Sequence, residues 1–190
     1  RMTRKQAACV IDALDEGFGD ANSICVHFYG GEPLTNLPAM EAMMERAGRK
    51  RPDRFAWAIT TNGTFYSRRA IDLLGRGRFG VVLSIDGPAE IHDRCRRTHR
   101  GAPTHARVMK FLRALRSEPK CHVRGSSVVR RGWRLSEAVD YLDRLPVDSI
   151  KAQAVRGGVN SAESLSPREK RTYMRDLEAI GRRVVDDLTA

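Results

Sequence analysis

Apolar residues along this chain recur in two alternating rhythms, one with helical spacing and one as short continuous runs. Over residues 3–14 they return every three or four positions behind Thr3, which predicts an amphipathic helix with Thr3 as its cap. The run Ile-Cys-Val-His-Phe-Tyr over 24–29 reads as a buried strand. Helical spacing resumes over 37–48, with Asn36 as candidate N-cap and Pro38 early in the helix. A strand over 54–60 ends in the Asn62-Gly63 turn, and Ser67 caps a helix to 74 that Gly75 and Gly77 close. Residues 79–85 are continuously apolar, as in a parallel strand buried on both faces.

A long polar connection over 86–103 follows, then a helix to 115 capped by Thr104 and a strand over 122–129. Ser136 caps a helix that ends before Pro146, and 149–155 is a further strand. A loop with Gly157-Gly158 leads to Ser166-Pro167-Arg168-Glu169. Its Ser-x-x-Glu spacing and its proline at the first helical position begin a last long helix. Five strands with helices between them predict an α/β fold whose parallel sheet is built by right-handed crossovers.

At 190 residues the chain is long enough to bury a real core, and it reads as a single domain over 1–190 in which 157–190 is a loop and C-terminal helix. No apolar run reaches bilayer length, and no signal peptide is visible. Four unpatterned cysteines suit a reducing cytoplasm better than a disulfide scaffold. Cys9, Cys25 and Cys121 read as buried structural thiols, and Cys95 lies in an Arg-rich stretch. The net charge of +11, from 34 basic against 23 acidic residues, would suit nucleic acid or an acidic peptide. Its basic residues are spread through nearly every helix, and no RNA-binding or helix-turn-helix signature accompanies them, so nucleic acid is not the expected partner.

The candidate chemistry starts at Gly30-Gly31-Glu32-Pro33, where the first strand ends. Glycines there let the backbone approach a ligand closely, and α/β folds place ligands at the carboxyl ends of strands. A carboxylate beside bare backbone suits a cationic amine better than a phosphate. Asn62 ends the next strand, where it either faces a ligand or supplies the left-handed turn. Ser84 ends the third, and Asp86 in Asp86-Gly87-Pro88 is expected to bond amides of its own loop. His92-Asp93 would suit a metal hydrolase, but His99 and His105 lack ligand spacing. Arg124 and Gln153 stand on later strands, facing either a substrate or the helices, and the sequence leaves their register open.

Phe28-Tyr29-Gly30-Gly31-Glu32-Pro33-Leu34, Thr60-Thr61-Asn62-Gly63-Thr64, and Leu83-Ser84-Ile85-Asp86-Gly87-Pro88 through Ile91-His92-Asp93 to Arg96 follow in that order. This series resembles the radical S-adenosylmethionine (radical SAM) superfamily over about residues 2–156. Within it, the chain looks most like the peptide- and protein-modifying branch of anaerobic sulfatase-maturating enzymes and peptide maturases. The resemblance implies a partial (βα)6 barrel with its first strand missing. It implies that Gly30, Gly31 and Glu32 receive the amino group of S-adenosylmethionine, with Asn62 near the cofactor and Ser84 and Arg96 on its carboxylate.

The family's C-x-x-x-C-x-x-C loop for a [4Fe–4S] cluster is not among the four cysteines here. The strand and loop that carry it are expected upstream of residue 1, so no residue of this chain is read as a metal ligand and the chain alone is expected to be inactive. The implied activity is formation of a 5′-deoxyadenosyl radical that modifies a peptide or protein, with an electron donor as second partner. A degenerate, non-catalytic module that binds a peptide or nucleotide is the alternative, and a basic nucleic-acid-associated protein is the second.

Overall fold

A computed structural model describes residues 1–118, 120–155 and 164–189, so the Gly157-Gly158 loop lies outside the described residues. Helices and strands follow in the order α1 (Arg4–Gly17), β1 (Ile24–Phe28), α2 (Leu37–Lys50), β2 (Phe55–Thr61), α3 (Arg68–Arg76), β3 (Gly80–Ser84), α4 (Ala89–Cys95), α5 (His105–Arg116), β4 (His122–Val129), α6 (Leu135–Asp143), β5 (Ser149–Ala154) and α7 (Pro167–Thr189). The five strands form one sheet in the order β1-β2-β3-β4-β5, with β1–β2, β2–β3 and β4–β5 paired in parallel. This is the α/β sheet that the sequence predicts, and each strand ends within one residue of its expected bounds. No described helix is long and apolar enough to cross a membrane.

The chain divides into two compact units, one of Arg1–Leu83 with Arg107–Val123 and one of Ser84–Ala106 with Arg124–Ala190. In the first, the register Ile24↔Phe55, Val26↔Trp57 and Phe28↔Ile59 places these residues on one sheet face. That face packs against Ala7 and Ile11 of α1 and Ala39, Ala42, Met43 and Ala47 of α2. In the second, Val129, Ile150, Ala152 and Ala154 pack against Leu135, Ala138 and Val139 of α6, with Tyr173 and Ile180 of α7. Gly125 lets α6 come close, since a Cβ there would stand 3.1 Å from Leu142 Cδ2.

Four expectations change. Strand β3 is buried on alternate residues rather than on both faces, as are β1 and most of β4, because helices cover one face of each strand. Cys121 is buried as expected, but Cys9 and Cys25 are exposed. Cys9 lies away from the Ala7–Ile11 stripe, and Cys25 alternates with the buried face of β1. The connection after β3 contains α4, a short charged helix whose buried residue is His92, so no apolar period announces it. Helix α6 starts one residue before Ser136, which is therefore not its cap. Asp176, on α7, accepts from the Ser136 amide and hydroxyl at 3.2 and 3.0 Å, a partner that local sequence cannot supply.

Gly63 closes the turn after β2 with φ +66°, and a Cβ there would stand 2.7 Å from Leu83 Cδ1. Both the left-handed backbone and the contact oppose a side chain. Gly63→Ala is expected to destabilise the chain by about 2 kcal/mol in urea unfolding, and an unchanged midpoint would contradict this packing.

Candidate functional site

In the first unit the turn after β1 needs its glycines, with φ +101° at Gly30 and +28° at Gly31, and no atom lies within 4 Å of where either Cβ would be. Bare backbone therefore faces open space beside Glu32. The Glu32 carboxylate is held by three donors from uncharged groups. The Leu34 amide donates at 3.1 Å and caps the 3-10 turn over Pro33–Asn36, Thr61 Oγ1 donates at 2.8 Å, and the Asn62 amide donates at 2.8 Å. In a chain of net charge +11, Glu32 pairs with no cation among the described residues. An ammonium is the ligand that such a fixed, uncompensated carboxylate suits.

Thr61 is the residue that sequence reasoning missed. It lies at the end of β2, is 1% exposed, and accepts from the Gly63 amide at 3.1 Å while it braces Glu32. Its place beside Asn62 in the Thr-Thr-Asn-Gly-Thr motif was the available signal. The Asn62 side chain serves the turn, since Oδ1 accepts from the Thr64 amide at 2.9 Å and its hydroxyl at 2.6 Å. On the uncovered face of the sheet, His27 Nε2 meets Thr60 Oγ1 at 2.9 Å, and Tyr29 stands 80% exposed.

In the second unit Ser84 ends β3 with its hydroxyl unbonded among the described residues. Asp86 differs from its expected role. Its carboxylate is 2% exposed and reaches beyond its own loop, to Arg96 Nε at 2.7 Å, Arg96 Nη2 at 3.2 Å and the Val128 amide at 3.0 Å. A buried carboxylate needs such partners, and they occupy one edge of the Arg96 fork. The Arg96 Nη1 group has no partner among the described residues.

His92 supports this pair from beneath. The Asp86 amide donates to His92 Nδ1 at 3.2 Å, so Nε2 carries the proton and meets Thr104 Oγ1 at 3.1 Å. The Thr104 hydroxyl then donates to the Arg96 carbonyl at 2.6 Å. Burial, reinforced by the Arg96 guanidinium, pushes the imidazole down from 6.5 to about 4. Burial also pushes the Asp93 carboxyl up, but the amides of His105 and Thr104 outweigh it and the net shift is downward. Both members of the His92-Asp93 pair are thus engaged by protein groups, as a metal ligand pair would not be.

Since His92 is held neutral, its stabilising contacts are complete above about pH 6.5 and are lost as pH falls toward about 4, because the unfolded chain takes up the proton first. The urea midpoint is expected to fall across that window, and His92→Gln to flatten the slope. An identical slope in the variant would show that another group controls it.

The groups present fit S-adenosylmethionine at Glu32, where open backbone and an uncompensated carboxylate await an ammonium. They do not fit an iron–sulfur cluster. Among the described residues no three His, Cys, Asp or Glu side chains converge; Cys9, Cys25 and Cys95 lie on α1, β1 and α4, and Cys121 lies just before β4. Reconstitution of this chain with iron and sulfide is expected to give no stoichiometric [4Fe–4S] absorption band; a stable, oxygen-sensitive band would reassign the thiols.

The family model described as the Radical SAM superfamily matches residues 10–150. The radical SAM cyclopropyl synthase TigE of Paramaledivibacter caminithermalis is 27% identical over 149 residues, covering 77% of this chain and 30% of its own length. The cysteine-type anaerobic sulfatase-maturating enzyme of Clostridium perfringens is 36% identical over 93 residues, 47% of this chain and 25% of that protein. Native anSMEcpe with bound AdoMet superposes with a TM-score of 0.76 at 23% identity, over 92% of this chain and 50% of that one. The same protein with bound AdoMet and the Kp18Cys peptide gives 0.75. At that identity the likeness establishes the fold. This chain spans less than a third of these curated relatives and about half of the solved chain.

Proposed function

The chain belongs to the radical SAM superfamily, and from that premise we propose that it is the core of an enzyme that uses S-adenosylmethionine to modify a peptide or protein. The observation that carries this reading is Glu32, a carboxylate fixed by three donors from uncharged groups and without a cation among the described residues of a basic chain. Curated relatives that include a sulfatase-maturating enzyme, and a fold shared with a chain that binds AdoMet and a peptide, support the substrate class.

In this reading the Gly30-Gly31 backbone and Glu32 bind the α-ammonium, and Thr61 and the Asn62 amide hold that carboxylate in place. In the second unit, Ser84 and Arg96 are the residues that the family motif assigns to the cofactor's carboxylate, and Asp86 and His92 keep Arg96 oriented. S-adenosylmethionine held by these residues would supply radical hydrogen abstraction from a peptide carbon. Since the four cysteines here lie apart, the family's cluster would take its thiolates from elsewhere in the protein, with a separate electron donor and a reducing cytoplasm to suit it.

A charge-assisted hydrogen bond is worth about 1.5–3 kcal/mol, so Glu32→Gln is expected to weaken cofactor binding by about one to two orders of magnitude in the cluster-loaded full-length protein. Arg96→Ala is expected to lose similar affinity and also about 2 kcal/mol of stability, because it removes the nearer cation from buried Asp86 and leaves Arg130 Nη2 at 3.9 Å. Calorimetric titration beside urea unfolding separates the two, and normal cofactor binding by Glu32→Gln would sink the assignment.

A further inference from the structure

The parallel register Arg124↔Ser149, Ser126↔Lys151 and Val128↔Gln153 places Arg124 and Gln153 on the same face of β4 and β5. The opposite face is the one that α6 and α7 cover, through Val129, Ile150, Ala152 and Ala154. Arg124, Ser126, Ser149, Lys151 and Gln153 therefore stand on the uncovered face, with Arg124 and Lys151 exposed. Between Arg124 and Ala154 this face of the two strands holds two cations and no acid.

Arg124 is already oriented, since its Nε donates to Ser149 Oγ at 3.1 Å, and its two terminal amino groups have no partner among the described residues. Lys151 has no partner among the described residues and lies one strand over, two positions beyond Ser149. Alternate residues on a strand stand about 6.5 Å apart, the repeat at which an extended peptide presents its own alternate side chains. Lys151 and Gln153 thus offer a cation and then an amide at that repeat, and Arg124 offers the planar fork that matches a carboxylate. A polyphosphate strand would call for a continuous row of cations, whereas these two are set among hydroxyls and an amide.

We propose that the open face of β4 and β5 binds the substrate peptide through an acidic side chain, whose carboxylate is taken by Arg124 and Lys151 while Gln153 bonds the neighbouring polar group or backbone. This selects acidic peptide segments and rests on the reading of the chain as a peptide-modifying enzyme.

The test is fluorescence anisotropy on the 190-residue chain, with a fluorescein-labelled peptide of alternating Gly and Glu and its Gly and Gln counterpart. The Glu peptide is expected to bind about tenfold tighter. Arg124→Gln and Lys151→Gln should each remove about fivefold or more of that preference. Arg182→Gln, an exposed residue of α7, should change it by less than about twofold. Equal binding of the two peptides would overturn the proposal, as would an Arg182→Gln loss as large as that of Arg124→Gln, which would mark generic attraction to a basic chain. Displacement of the Glu peptide by a single-stranded oligothymidylate that binds more tightly would overturn it in favour of nucleic acid. S-adenosylmethionine titrated into the cluster-loaded full-length protein separates the two readings. Cofactor binding without peptide preference overturns this inference alone, and absence of cofactor binding overturns the enzyme reading.

Discussion

A parallel strand covered by helices on one face must divide its residues by alternation. In the first unit Ile24, Val26 and Phe28 go to α1 and α2, which leaves Cys25 and His27 uncovered. In the second, Ile150, Ala152 and Ala154 go to α6 and α7, which leaves Lys151 and Gln153 uncovered. One period therefore does two jobs. The apolar half supplies burial at about 25 cal/mol per Å² of apolar surface, and the polar half is available for chemistry at no cost to the core. Cys25, expected inside, is outside for this reason, whereas Cys9 lies off the buried Ala7–Ile11 stripe of α1.

The same parallel geometry anchors the two acids that follow strands. Glu32, after β1, accepts from the Asn62 amide at the end of β2, and Asp86, after β3, accepts from the Val128 amide in β4. In each case a neighbouring strand donates to a carboxylate one position along the sheet. Their charge environments then diverge. Asp86 is nearly fully buried and neutralised by Arg96, which makes it a brace. Among the described residues Glu32 receives donors from uncharged groups alone, which is why we propose it as the receptor. The difference is electrostatic rather than positional, since an uncompensated carboxylate favours any cation that reaches it while a paired one does not.

His92 illustrates how a residue with no part in ligand contact can still govern a site. Its ring joins the Asp86 amide to Thr104, and Thr104 joins the Arg96 carbonyl, so both ends of the ion pair rest on one neutral imidazole. The His-Asp dipeptide that invites comparison with metal hydrolases is thus spent on the fold. Asp93 completes this by receiving the Thr104 amide and the His105 amide that opens α5.

The elements were legible in the sequence because period and capping are local. The strands, the Ser67 cap, and the Ser166–Glu169 capping box are all read from neighbours a few residues apart. The order of the Gly-Gly-Glu, Thr-Thr-Asn-Gly and Ser-x-Asp-Gly-Pro motifs also identified the family, since each falls at a strand end where backbone must stay open. The rest had no local signal. Helix α4 carries no apolar stripe, and α6 takes its first-turn acceptor from α7. Which face Arg124 and Gln153 occupy depends on register, and a one-residue slip would reverse it. Whether a carboxylate is a brace or a receptor depends on which cation folding brings to it, and that is decided only when distant segments meet.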